Sequence, residues 1–206
     1  MNSKIPAKLK GTELEKELLR VIKASTEIVG GRYGVMLSYQ NDELRPIKSY
    51  PDIEGVRMPA GQQWIAECKV CSSASLHLAT RITQDKQSKQ LAHLLQRAEF
   101  GATCMYVVHF NRRELKTRTV DQHTFAFPVH PNHPFWLRFL GGFESKVNIE
   151  TCQEYGLPIE WHVPKRCRKA QINFVPIVEE VNVMLAKYRG TDSTNWQASP
   201  ILNVVG

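Results

Sequence analysis

Asp52 follows a proline, and after fourteen intervening residues the chain reads Glu67-Cys68-Lys69. If Trp64 to Val70 forms a strand, its side chains alternate between two faces. Trp64, Ala66, Cys68 and Val70 take one face, which reads as a core face, and Ile65, Glu67 and Lys69 take the other. Glu67 and Lys69 then share a face, about 7 Å apart along the strand. Asp52 belongs to the preceding strand, beyond a turn at Pro59-Ala60-Gly61, and a hairpin between the two would set Asp52 beside Glu67. Two adjacent carboxylates in a half-buried site repel each other and call for a cation. Oxygen donors of this kind suit Mg²⁺ or Mn²⁺. A lysine beside them could orient a water or neutralise a phosphate.

Two helices must hold this strand pair in place. Residues 12 to 28 show apolar positions at Leu14, Leu18, Val21 and Ile22, with Gly30-Gly31 as the stop. Glu15 falls inside that apolar stripe, while Glu13 and Glu17 fall outside it. An acidic residue on a packed face implies a metal or a basic partner. The alternative is that Thr12 and Glu15 form a capping box and nothing more. A second helix, over about 84–99, carries Leu91, Leu94, Leu95 and Ala98 as its stripe. Gln87 lies near the centre of that stripe and Gln90 at its margin. Either could bond a metal-bound water or a phosphate, or be a satisfied core amide. Strands are expected at about 34–39, 46–56, 63–70, 103–110 and 123–129, and a short helix from Trp136 to Leu140. Val175 to Tyr188 reads as a last helix, with Pro176 in its first turn. The order points to an α/β fold, a mixed sheet with a helix on each face.

Of 206 residues, 42% are hydrophobic and 23% charged, as in a globular chain. No apolar run is long enough for a transmembrane helix, so no membrane partner is expected. The basic start, Met1 to Lys10, lacks the apolar stretch of a secretory signal. Five cysteines, an odd number, several in apolar contexts, suit reduced and buried thiols. Together these set the expectation of a cytoplasmic protein. The 27 basic residues against 20 acidic give a net charge of +7, which favours a polyanionic partner, nucleic acid first.

Pro51-Asp52 with Glu67-Cys68-Lys69 resembles the PD-(D/E)XK nuclease motif. The surroundings resemble the Holliday junction resolvase branch, especially the RecU family and its archaeal relatives. The match runs from Gly11-Thr12-Glu13-Leu14-Glu15 through Ser49 to Gly55, Trp64 to Lys69 and the glutamine-bearing helix to Gly101–Phe110. It covers about residues 10 to 112. The resemblance implies a restriction-endonuclease-like fold with a central mixed sheet flanked by helices. It implies a Mg²⁺- or Mn²⁺-dependent endonuclease of DNA recombination and repair, acting as a homodimer on branched DNA. By the same resemblance Glu15, Asp52, Glu67 and the Cys68 carbonyl would bind metal, and Lys69 would position the attacking water. The glutamine would be Gln87 by helical face or Gln90 by spacing, with Gln87 preferred. The segment after Lys69, with Ser72-Ser73-Ala74-Ser75, is longer than the family pattern leads one to expect.

Rival readings are a nuclease of the same fold with another DNA substrate, and a non-catalytic nucleic-acid-binding protein. Arg112, Arg113, Lys116 and Arg118, and the run Lys165, Arg166, Arg168 and Lys169, could grip backbone phosphates. Trp136 and Trp161 could stack on bases or sit in a core. Cys68 and Cys71 form half of a zinc ribbon that Cys152, His162 and Cys167 could complete, though strand thiols explain them better. His130-Pro131-Asn132-His133 reads as a turn rather than a metal site. The nuclease core is expected over about 10–130, with 131–190 an unassigned extension of the same domain and 191–206 a mobile tail.

Overall fold

The computed structural model describes residues 8–32, 36–40, 43–47, 51–78, 86–162 and 170–189, without the side chains of 36–40, 43–47 and 86–88. In chain order the elements are α1 (Gly11–Ala24), β1 (Ile28–Arg32), β2 (Met36–Gln40), β3 (Glu43–Ile47), β4 (Ile53–Arg57), β5 (Gln62–Cys71) and β6 (Ser75–His77). Then come α2 (Lys86–Glu99), β7 (Thr103–Phe110), β8 (Arg113–Glu114), β9 (Thr119–Val120), β10 (His123–Val129) and α3 (Pro134–Leu140). The chain continues through β11 (Lys146–Asn148), α4 (Ile149–Tyr155), β12 (Leu157–Pro158), β13 (Trp161–His162), β14 (Gln171–Ile172) and α5 (Val175–Ala186).

Six strands form one sheet in the order β1-β4-β5-β7-β10-β12. Only β5 and β7 run parallel, joined by the crossover through α2; the other pairs are antiparallel. The expected α/β class, a mixed sheet flanked by helices, is the fold observed. On one face α1 and α5 bury Leu14, Leu18, Ile22, Val178 and Val181 against Trp64, Ala66, Met105 and Val107. On the other, α2, α3 and α4 bury Leu94, Leu95, Trp136 and Cys152 against Ile65, Val108, Phe125 and Phe127. All eight residues of β7 are buried, as a central strand covered on both faces requires. The segment after residue 130 therefore supplies helices to both layers.

Several local expectations are corrected. The first helix ends at Ala24, not near residue 28, and Gly30-Gly31 lies inside β1 rather than stopping a helix. The Thr12–Glu15 capping box is replaced by one a turn-start earlier: the Lys10 backbone N–H donates to Glu13 Oε2 at 2.7 Å. The expected strand 46–56 is broken, with β3 ending at Ile47 and β4 beginning at Ile53. Trp136 is fully buried and donates Nε1–H to the Pro128 carbonyl, so it is a core residue. Residues 130–133 form the expected turn, closed by His133, which caps α3 by accepting from the Phe135 N–H. The supposed mobile tail, 191–206, lies outside the described residues.

The glycines of β1 and β4 have a packing reason. Gly30, Gly55 and Trp64 stand in register on three neighbouring strands. The indole of Trp64, fully buried, lies across both glycines. A Cβ on Gly30 would stand 2.6 Å from Trp64 Cζ2, and one on Gly55 would meet the same atom and the Val29 carbonyl oxygen. Gly55→Ala is therefore expected to cost about 3 kcal/mol or more through overpacking. Gly31→Ala, whose Cβ meets nothing within 4 Å, should stay within about 1 kcal/mol of the parent. Urea denaturation of the two variants checks this; equal losses would refute the role of the indole.

Candidate active site

The antiparallel register of β4 and β5 pairs Ile53 with Ala66. One step further along the same ladder, Asp52 comes opposite Glu67. The two residues clasp each other: the Asp52 N–H donates to Glu67 Oε2 at 3.2 Å, and Asp52 Oδ2 accepts from the Cys68 N–H at 2.9 Å. The hairpin inferred from the sequence thus brings these carboxylates together.

Lys69 lies two residues along the strand on the face of Glu67. Its Nζ donates to Glu67 Oε1 at 2.9 Å and to Gln90 Oε1 at 2.8 Å. Gln90, on the buried side of α2, closes the triangle by donating Nε2–H to Glu67 Oε1. Gln90 is thus the glutamine that meets the strand. Gln87 lies at the start of α2, and its side chain is outside the described residues. The face that holds Glu67 is more deeply buried than the half-buried site expected: α2 covers it, and Glu67 is only 2% exposed.

Burial dominates the acidity of Glu67, pushing its pKa up from 4.5 to about 7. The Lys69 ammonium pulls it down and the Asp52 carboxylate pushes it up. A site that holds a desolvated carboxylate next to a second one lacks positive charge. Hard oxygen donors of this kind fit a divalent cation such as Mg²⁺ or Mn²⁺. Asp52 and Glu67 are the pair that would hold it, with the Cys68 carbonyl beside them in sequence.

Glu15 stands apart from the pair. It lies half-buried on α1 and bonds Arg32 at 3.1 Å, so the basic partner foreseen for it exists. It is near enough to act with Asp52 and Glu67 in raising the pKa of the Cys68 thiol, after burial, the main cause. Among the described residues, no three His, Cys, Asp or Glu side chains are grouped as a metal cage. Cys68 and Cys71 cannot chelate together, because they belong to opposite layers of the protein.

Tyr106 escaped the sequence reading. It pairs with Glu67 across the parallel ladder, and Lys69 Nζ stands 6.0 Å from its ring centroid. Only knowledge of the β5–β7 register could have found it. Asn111 was missed too. Its side chain accepts from the Leu9 N–H at 2.7 Å and donates to the Leu9 carbonyl, latching the start of α1 to the end of β7.

Of the basic residues, Arg112, Arg113, Lys116 and Arg118 lie on or beside the β8–β9 hairpin. Arg112 is spent partly on Glu114, 2.9 Å away. Lys165, Arg166, Arg168 and Lys169 fall outside the described residues. No helix of the described residues is long and apolar enough to cross a membrane.

No family model matches the chain, and no curated protein sequence matches it. Among solved structures it is similar to that of Archaeoglobus fulgidus Hjc, a Holliday junction resolvase from an archaeal hyperthermophile. The TM-score is 0.43 and the sequence identity 18%, over 72% of this chain and 95% of that one. A likeness at this level carries no chemistry with it.

Because the folded protein holds the Glu67 proton more tightly than the unfolded chain, Glu67 contributes stability below pH 4.5 that is lost as pH rises through about 7. Glutamine cannot ionise. With divalent cations chelated, Glu67→Gln should match the parent near pH 4.5 and exceed it above pH 7 by about 2–3 kcal/mol. Denaturation midpoints across that range test this; a pH-independent difference would refute the burial account.

Proposed function

We propose that the protein is a metal-dependent endonuclease that hydrolyses phosphodiester bonds in DNA. The observation that carries this reading is the clasp of Asp52 and Glu67, with Lys69 bridging Glu67 to Gln90. It lies towards the carboxyl ends of the two parallel strands, where open α/β sheets bind their ligands. The finer reading follows the sequence resemblance: a homodimeric Holliday junction resolvase whose two-fold symmetry sets two sites on opposing strands.

In this reading Asp52 and Glu67 hold the cation. When bound, Mg²⁺ or Mn²⁺ offsets phosphate charge and lowers the proton affinity of the attacking water. Lys69 carries three N–H donors, and its two acceptors among the described residues leave one for that water or a phosphate oxygen. Gln90 fixes the direction of the ammonium. The Cys68 N–H fixes Asp52, so that the carboxylate does not have to be ordered when substrate arrives. The hairpin with Lys116 and Arg118 extends from β7 and β10 at this same end of the sheet, and supports a backbone grip that carries no sequence information.

End-labelled four-way junction and matched linear duplex, incubated with Mg²⁺ or Mn²⁺, test the proposal. Paired nicks confined to the junction are expected, with Asp52→Asn and Lys69→Ala each about a thousandfold slower. Cutting of both DNAs would remove the junction preference and keep the nuclease. Undiminished cutting by Asp52→Asn would overturn the site. Removing Lys116 and Arg118 together should weaken DNA binding and lower its log–log salt slope by about 2, read by titration at several salt concentrations.

A further inference from the structure

Beyond the carboxylate clasp, the same end of the sheet carries a cleft. It has a volume of about 500 Å³ and opens beside the first half of β10, where β12 covers only Phe125 and Ala126. Gln122, His123, Thr124, Gln153, Glu160 and Trp161 are among its lining residues. Phe125, also in its wall, shares a rung with Lys69 through Val108. Two strand spacings separate them, about 10 Å. The β8–β9 hairpin follows β7 and precedes β10 in the chain, so it leaves the sheet at this same end.

The chemistry of the lining selects its ligand. Among the described residues the cleft has a carboxylate, Glu160, and no Lys or Arg. It suits a neutral planar group with N–H donors, which the Glu160 carboxylate and the Gln122 and Gln153 amides would accept. A flat wall is already in place. Trp161 donates Nε1–H to Thr124 Oγ1 at 2.8 Å, and Thr124 in turn bonds His109 Nδ1 at 2.7 Å. The His109 ring meets the indole edge-on, 6.0 Å between centroids. His123 stacks on Phe125 nearby. The indole braces the cleft from the α1 and α5 side of the sheet, and the His123 ring stacked on Phe125 gives the side that carries Lys69 a flat wall before any ligand arrives, which spares the entropy of ordering it.

We propose that this cleft receives an unstacked base of the DNA strand whose backbone passes Asp52, Glu67 and Lys69. The inference rests on the nuclease reading for its choice of ligand. It makes the cleft a second contact that favours DNA with unstacked bases, such as the crossover of a junction, over continuous duplex. A base with an exocyclic amine fits its acceptors better than thymine does.

The test uses the full chain with Asp52→Asn, to bind without cutting, and junctions carrying a single abasic site at successive positions around the crossover. Removing the base at one position should weaken binding several-fold, and that loss should vanish when Gln153→Ala and Glu160→Lys, both at exposed positions, are added. Cleavage of the unmodified junction by the parent protein is measured alongside. If the parent cuts but no single position weakens binding, or the loss survives the added substitutions, the base-binding cleft is overturned and the nuclease stands. If nothing is cut but one position weakens binding and the substitutions abolish that sensitivity, the cleft stands and the nuclease reading falls. Failure to bind any of these DNAs overturns both.

Discussion

A carboxylate with almost no access to solvent sits in the middle of a six-stranded sheet, and the surroundings of Glu67 are organised by the need to satisfy it. Desolvating such a group costs several kcal/mol unless donors replace the lost water. Three do so: the Asp52 N–H, the Lys69 ammonium and the Gln90 amide. Each comes from a different place, namely the start of β4, β5 itself and α2. The donors can converge only if β4 pairs with β5 in one register and α2 crosses the sheet at one height. A slip of β5 by one residue against its neighbours would send Glu67 to the opposite layer. Chemistry and fold therefore constrain each other, and a protein built for stability alone would place an apolar side chain at this position.

The sequence made the periodic and local parts of this arrangement legible. Thr103–Phe110 and His123–Val129 read as strands because uninterrupted apolar and β-branched runs fit nothing else of that length, and both ends agree with the structure. The pairing of Asp52 with Glu67 was legible because a turn signal stood between them. What failed depended on long-range contacts. Gly30-Gly31 looks like a helix stop until the indole of Trp64 is laid over the neighbouring glycines. Glu15 looked like a capping residue or a site residue, and its partner Arg32 lies in a strand that the sequence concealed inside the supposed helix end. Of the two glutamines, helical phase favoured Gln87, whereas Gln90 meets Glu67. The marginal position on the stripe reaches the strand, and the side chain of Gln87 is outside the described residues.

The helices after residue 130 complete the two layers, each through polar bonds and apolar packing. α5 is tied to the start of β7 through polar contacts: Thr103 Oγ1 donates to Asn182 Oδ1 at 3.0 Å, and Arg189 reaches both residues. α3 packs through aromatic rings, with Phe127, Phe135 and Trp136 edge to face. Each helix also has the other kind of contact: Trp136 of α3 bonds the Pro128 carbonyl, and α5 buries Ile177, Val178, Val181 and Leu185.

The four described cysteines are divided between the two faces of the sheet. Cys68 is buried with α1 and α5, whereas Cys71, Cys104 and Cys152 are buried in the layer of α2, α3 and α4. Burial holds these thiols in their unreactive protonated form, so alkylation must wait for the layer above each one to lift. Followed residue by residue in a mass spectrometer, their labelling rates give two internal clocks, one per layer. A cooperative fold would set both to the same time; a molecule that breathes on one side would show them running apart.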